Sequence, residues 1–192
     1  MARTVVDLLK TESTEVSVSA ADAALNLKLC TRVELERAMA AVKFHPGAPR
    51  ARRAMDLVDG RAESPGETRT RLVLDAGPLP RTELQISIYD DLGRFVGRVD
   101  GGYVERGVFW EYDGRGKYES LLKPGQTHVD AVLREKKRES FITELGGTVV
   151  RIDKDDLRDG QRLWNRMARA LARSEQPGWL PPRGQYQVAP KV

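Results

Sequence analysis

Acidic residues with metal-binding spacing are the chemically most informative feature of this 192-residue sequence. Asp100 ends one strand-like run, and Glu111 and Asp113 stand two residues apart near the end of the next run. Residues two apart in a strand point to the same face, and side chains on adjacent strands lie about 5 Å apart. Carboxylates at that separation can share a divalent cation, so the sequence predicts an Mg²⁺ or Mn²⁺ site here.

Glu67 lies on a predicted helix before these strands, from which it could add a further carboxylate. Carboxylates gathered in one place repel each other unless a cation is bound. The cation can lower the pKa of a bound water and stabilise charge on a phosphate that is being cleaved. A structural interpretation is also open, in which Asp100 and Asp113 are turn residues before glycines and Glu67 only caps its helix.

The elements that must position these residues follow from hydrophobic periodicity and turn signals. For the helix that begins near residue 65, Ser64 is a good N-cap and Glu67 is the matching capping-box acid. After it we expect strands at 84–89, 95–100 and 107–113, a helix at about 129–145, a strand at 148–152 and a helix at 161–172. This order predicts an α/β fold with an αβββαβ core, in which a right-handed crossover completes a mixed sheet flanked by helices.

Three parts are expected along the chain: a small helical unit at 1–60, the α/β domain at 61–174 and a Pro-rich tail at 175–192 that forms no helix. Four short helical patterns fill the first part, and Thr31 with Glu34 predicts a capping box in the third. The fourth pattern carries Arg50, Arg52 and Arg53, a local positive patch that could bind DNA phosphates. A solvated helix face explains these arginines equally well.

The composition permits a nucleic-acid partner without requiring one, because 32 Lys and Arg oppose 28 Asp and Glu for a net charge of +4. The single cysteine, Cys30, excludes an intrachain disulfide and fits a small buried side chain. The chain has no apolar stretch of about 18 residues and no signal-peptide pattern. We therefore expect a cytoplasmic protein with no membrane partner.

Several motifs resemble the PD-(D/E)XK nuclease superfamily, and above all the small Vsr-like endonuclease-domain proteins common in actinobacteria and their phages. The resemblance extends from the first residues to about Arg173. The motifs that carry it are EYDGRGKY at 111–118, RVD at 98–100, REKKR at 134–138, RAESPGETR at 61–69 and RTVVDL at 3–8. It implies a restriction-endonuclease-like core, which is the element order that the periodicity predicts independently.

The resemblance also implies roles for the acidic residues. Asp100 and Glu111 would be metal ligands, with Glu67 and Asp113 as auxiliary ligands or water-orienting groups. The usual signature places a lysine two residues after the second acid, but Asp113 occupies that position here. Lys117 in the following loop or Lys136 on the next helix would have to supply the positive charge, and Arg115 in the same loop is a further candidate for DNA contact.

Two functions from different classes follow from these observations. The first is a metal-dependent DNA endonuclease that hydrolyses phosphodiester bonds. The second is a catalytically degenerate DNA-binding regulator or antitoxin-like component on the same fold, which the displaced lysine favours. Members of the group commonly begin with a winged-helix segment of the kind found in abortive-infection antitoxins. This chain begins after that point, so a protein partner that supplies the segment is a further expectation.

Overall fold

The computed structural model describes residues 1–114, 128–176 and 179–191. The chain divides into two compact units, one formed by Met1–Leu72 with Pro190–Val192 and the other by Val73–Ala189. Within the described residues, no helix is both long enough and apolar enough to cross a membrane.

The first unit is helical, as the sequence predicts. Its helices are α1 (Ala2–Thr11), α2 (Thr14–Asn26), α3 (Arg32–Ala41), α4 (Ala48–Met55) and the first part of α5 (Pro65–Asp75). Helix α1 packs against α2, α3 and α4 around a core that includes Leu9, Leu25 and Leu35, and Cys30 is buried in the same core. The capping box of Thr31 and Glu34 is present, which confirms that sequence prediction.

A buried carboxylate, Asp22 of α2, organises the polar interior of this unit. It accepts hydrogen bonds from the Asp59 backbone N–H (2.6 Å), the Thr68 hydroxyl (2.8 Å) and the Arg71 guanidinium (2.9 Å). These bonds join α2 to the segment after α4 and to α5. Burial raises the pKa of Asp22 to about 6, although Arg71 and the hydrogen bonds act in the opposite direction.

The second unit contains a five-stranded mixed sheet in the order β4-β3-β2-β1-β5. The strands are β1 (Glu83–Tyr89), β2 (Phe95–Tyr103), β3 (Val108–Tyr112), β4 (Thr148–Ile152) and β5 (Gln185–Val188). Strands β1, β2 and β3 form an antiparallel meander, as their short connections predict. Strand β4 pairs with β3 in the parallel direction.

Two helices accompany the sheet: α6 (His128–Glu144), which connects β3 to β4, and α7 (Gly160–Ala172), which follows β4. Ile142 of α6 packs with Phe109, Val99 and Ile86 of the sheet in one apolar core. Leu163, Met167 and Leu171 form the buried face of α7. The predicted α/β class, the αβββαβ order and the mixed sheet with flanking helices are confirmed.

The structure differs from the sequence prediction at both boundaries of the α/β domain. The boundary between the compact units falls after Leu72 rather than after residue 60, because the start of α5 packs with the helical unit through Leu72 and Asp22. The tail supplies β5, which pairs with β1 in an antiparallel ladder. Tyr186 and Val188 pack against the apolar core of the sheet, so apolar burial draws the Pro-rich tail into the fold.

The raised pKa of Asp22 gives a testable pH dependence. We expect the ¹³C resonance of its carboxyl group to titrate with a midpoint near pH 6, because burial disfavours the charged form. A pKa raised from 3.8 to about 6 means that this contribution to stability is complete below about pH 4 and is lost as the pH rises through 6. A carboxyl midpoint at or below pH 4 would contradict the expectation.

Candidate functional site

The candidate site lies at the end of β3, beside the crossover helix α6. Strand β2 continues to Tyr103, so Asp100 lies within that strand and not at its end as the sequence predicts. The regular β2–β3 ladder runs from Tyr103–Val108 to Gly101–Trp110. Glu111 follows the last of these pairs and is 9% exposed, which makes it one of the few buried charged residues of the sheet. A carboxylate in this position needs positive charge close by, because burial alone disfavours its ionised form.

Two arginines supply that charge to Glu111. Nη2 of Arg138, on α6, lies 2.7 Å from Glu111 Oε1, and Nη1 of Arg151, on β4, lies 3.2 Å from Oε2. Arg151 is also the residue directly opposite Glu111 in the parallel ladder. Each oxygen of the candidate metal ligand is therefore in contact with a guanidinium group.

The two arginines also bind glutamates of α6. Arg138 donates to Glu135 through Nε at 2.9 Å, and Arg151 contacts Glu135 as well as Glu139 at 3.3 Å. Glu111, Glu135 and Glu139 with Arg138 and Arg151 are called the Glu111 cluster below. With all five side chains ionised its formal charge is −1, so the positive charge is fully engaged by carboxylates.

The cluster shifts the pKa values of its two most central carboxyl groups in opposite directions. Burial raises the pKa of Glu111, and Arg138 offsets this only in part. Burial would also raise the pKa of Glu135, but hydrogen bonds from Arg138 and Arg151 outweigh it and hold that pKa below its ordinary value. Glu135 therefore stays ionised to a lower pH than Glu111.

Asp100 lies beside Glu111 but has a structural role in the ladder. Its Oδ2 accepts the backbone N–H of Tyr112 at 2.8 Å, so the side chain bonds β3 just beyond the last regular pair. In the β1–β2 ladder, Gln85 adopts a φ of 52° between the pairs Leu84–Gly101 and Ile86–Val99, and the register is the same on both sides of it. The structure thus brings the Asp100 carboxylate to the backbone of the strand that carries Glu111.

Glu67 acts as the helix cap that the structural interpretation describes. Its Oε2 accepts the Glu63 backbone N–H at 2.9 Å and its Oε1 accepts the Ser64 hydroxyl at 2.8 Å, while Ser64 accepts the Glu67 N–H. Glu67 is 3% exposed and belongs to the first compact unit. Asp113 follows β3, and its backbone N–H continues the parallel ladder by donating to Ile152 at 2.7 Å.

The predicted cationic residues fall into three groups. Lys136 is exposed on α6, and its ammonium group forms no ion pair with the described residues. Arg50, Arg52 and Arg53 are all exposed on α4, where Arg50 donates to the Thr11 carbonyl at 3.2 Å. The predictions for Lys117 and Arg115 lie outside the described residues.

Sequence reasoning missed Arg138 and Arg151, although one signal could have revealed them. Arg151 interrupts an otherwise apolar and β-branched strand, and a charge in such a strand needs a partner nearby. Arg138 stands three residues after Glu135, a spacing that places both on one face of a helix. The two signals meet at Glu111 through the parallel pairing of β3 and β4, which the structure shows.

The carboxylates of Glu111, Glu67 and Asp100 are already bound by other groups of the protein, which suits them better than a divalent cation would. Both oxygens of Glu111 are held by guanidinium groups, both oxygens of Glu67 by its cap, and Asp100 by the Tyr112 N–H. No group of three or more His, Cys, Asp and Glu side chains within the described ranges is arranged to hold a metal ion. The Mg²⁺ or Mn²⁺ site stays a prediction from the spacing of the acidic residues and from the family resemblance.

Comparison with known proteins finds two curated relatives, both described as uncharacterized proteins of Mycobacterium tuberculosis, from strains CDC 1551 and H37Rv. Each is 37% identical over 158 residues, which cover 82% of this chain and 55% of the relative. The chain therefore spans about half the length of the curated relatives it matches. No family model and no solved structure matches the chain.

Removing one arginine tests whether the Glu111 cluster stabilises the sheet. Arg138→Met should lower the free energy of unfolding by about 2–3 kcal/mol, since it leaves a buried carboxylate with one fewer partner. Chemical denaturation followed by circular dichroism measures the change.

The matched control is Lys136→Met, which replaces an exposed cation on the same helix and should change stability by less than about 0.5 kcal/mol. Equal stability of Arg138→Met and the wild type would show that the cluster adds nothing to the fold.

Proposed function

We propose that this chain is a DNA-binding protein that uses a nuclease-like sheet as a scaffold, without metal-dependent cleavage. The observation that carries the proposal is a contrast between two sets of arginines. Arg138 and Arg151 are neutralised by the carboxylates of the Glu111 cluster. Arg52 and Arg53 on α4 are exposed and form no ion pair with any residue that the structure describes.

Helix α4 suits contact with a phosphate backbone. Its buried residues Ala48, Ala51 and Ala54 anchor one side, so the arginines between them face solvent. Exposed guanidinium groups bind phosphate oxygens in any sequence and release counterions as they do so. Binding through α4 would thus be salt-dependent and largely independent of base sequence.

A cytoplasmic location is part of this proposal.

The metal-dependent endonuclease remains the second candidate. The observation that favours it is the position of Asp100, whose carboxylate reaches the backbone of Tyr112, the residue after Glu111. Two carboxylates on adjacent strands are what the resemblance to PD-(D/E)XK nucleases implies. The displaced lysine and the guanidinium partners of Glu111 weigh against this candidate.

DNA binding is tested with the full chain and a fluorescently labelled duplex in a buffer containing chelator. The wild type should bind, and Arg52→Glu with Arg53→Glu should weaken the affinity by at least about tenfold, since two phosphate contacts become repulsive. The slope of log affinity against log salt should become shallower by about two. Fluorescence anisotropy measures both quantities.

Arg37→Glu is the matched control, because Arg37 is an exposed arginine on α3, a different helix of the same unit. Its effect on affinity should be much smaller than that of the α4 variant. A wild-type protein that fails to bind duplex DNA even at low salt would refute the proposal.

A cleavage assay separates the two candidates. Incubation of intact, nicked, mismatched and branched DNA with the wild type in Mg²⁺ or Mn²⁺ should leave every substrate uncut, because guanidinium groups already hold both oxygens of Glu111. Cleavage that chelator stops and Glu111→Gln abolishes would establish the endonuclease instead. Gel electrophoresis of the products decides between these outcomes.

A further inference from the structure

The outer edge of β4 carries main-chain groups that no strand among the described residues pairs with. Within that part of the chain, β4 is at the end of the sheet and pairs only with β3. The Thr148 N–H donates to Gly107 at 2.8 Å and the Ile152 carbonyl accepts from Asp113 at 2.7 Å, so even-numbered residues direct their backbone groups towards β3. Because this direction alternates along a strand, Val149 and Arg151 direct theirs outward.

One of these outward groups has a partner from α7. The Arg151 carbonyl accepts from Nη2 of Arg166 at 2.6 Å, which confirms the direction of the odd-numbered residues. The Val149 N–H and carbonyl and the Arg151 N–H form no hydrogen bond with the described residues. An exposed edge with free donors and acceptors is a template for one more strand.

Helix α7 places positive charge beside this edge. A groove of about 340 Å³ runs between residues 148–150 of β4 and a row of arginines formed by Arg166 and Arg169 of α7 and by Arg173, which directly follows α7. Arg166 is paired with Asp156 at 2.8 Å. Arg169 and Arg173 are exposed and have no ion-pair partner in the part of the chain that the structure describes.

We infer that this groove binds an extended acidic segment of a partner protein, which adds a strand to β4. An added strand continues the sheet, so every second side chain points to the α7 side. Alternate residues of a strand lie about 6.8 Å apart, and residues four apart on a helix lie about 6 Å apart. Acidic side chains at alternate positions would therefore meet Arg169 and Arg173 in turn.

Charge and backbone chemistry favour a peptide over a nucleic acid at this groove. The arginines attract either one, but phosphate oxygens only accept hydrogen bonds. The outward Val149 carbonyl needs a donor, and a peptide backbone offers donors and acceptors with the repeat of β4. This groove lies in the second unit, whereas the arginines proposed to bind DNA lie on α4 in the first.

The test uses the full chain and two labelled octapeptides of equal composition. One alternates Thr and Glu, and the other has four Thr followed by four Glu. The alternating peptide should bind at least about fivefold more tightly by fluorescence anisotropy, since only its spacing matches the arginines. Equal affinity for the two peptides would overturn the proposal.

Variants of α7 locate the binding surface. Arg169→Glu with Arg173→Glu should weaken binding of the alternating peptide by at least about tenfold through repulsion. The matched control, Arg162→Glu, changes an exposed arginine of the same helix that does not line the groove, and should leave affinity within about twofold. Circular dichroism verifies that each variant is folded, and equal effects of the two changes would overturn the proposal.

N-methylated peptides test the strand pairing itself. Methyl groups on one alternate set of amides should abolish binding and methyl groups on the other set should not, since only one set faces β4. If the two sets had equal effects, charge attraction alone would explain the binding, and strand addition would be refuted. Duplex DNA is the remaining competitor: if its affinity falls in the Arg169→Glu, Arg173→Glu variant but not in the α4 variant, the groove is a nucleic-acid surface and the proposal is wrong.

Discussion

A buried carboxylate can remain at the end of β3 only if positive charge is supplied from neighbouring elements. Glu111 obtains that charge from α6 through Arg138 and from β4 through Arg151. An unpaired buried charge costs several kcal/mol, so β3, α6 and β4 are stable together rather than separately. The register of the parallel pair is fixed as well, because a slip of one residue would move Arg151 to the other face of β4.

The need to place Arg138 beside Glu111 also explains Gly97 in β2. The stem of Arg138 crosses the sheet at Gly97, where a Cβ atom would lie 2.7 Å from Cδ of the arginine. The Arg138 Nη1 also donates to the Arg98 carbonyl at 3.3 Å, so the guanidinium is held by backbone as well as by carboxylates. A larger residue at position 97 would push the arginine away from Glu111. Strand β2 therefore contributes to the Glu111 cluster without supplying a charge.

Local sequence signals predicted most of the fold because each acts within a few residues. The capping boxes at Thr31 and Ser64, the alternation of Ile86 and Ile88 with polar residues, and the apolar face of α7 are signals of this kind. Strand β5 was missed because four residues in a Pro-rich segment carry little periodic signal of their own. They become a strand only where β1 offers a free edge and an apolar core.

The candidate site was harder to predict because it depends on pairing across the sheet. The sequence analysis identified Asp100 and Glu111 as neighbours, and the structure places the Asp100 carboxylate at the strand of Glu111. The sequence analysis could not identify the two arginines that bind Glu111. Their contacts depend on the parallel register, which places Arg151 opposite Glu111, and on the rotation of α6, which turns Arg138 towards the sheet. Neither the register of β3 and β4 nor the rotation of α6 is encoded in residues 98–113.

The pKa values of two carboxyl groups are shifted in opposite directions, and this difference determines how the Glu111 cluster responds to acid. The pKa of Glu111 is raised and that of Glu135 is lowered, so Glu111 takes up a proton first as the pH falls. Proton uptake changes the cluster from a formal charge of −1 to neutral and leaves both arginines bound to Glu135. The charge of Glu111 can therefore be lost without leaving either arginine unpaired. Glu135 therefore remains an ionised partner of both arginines after Glu111 has taken up a proton.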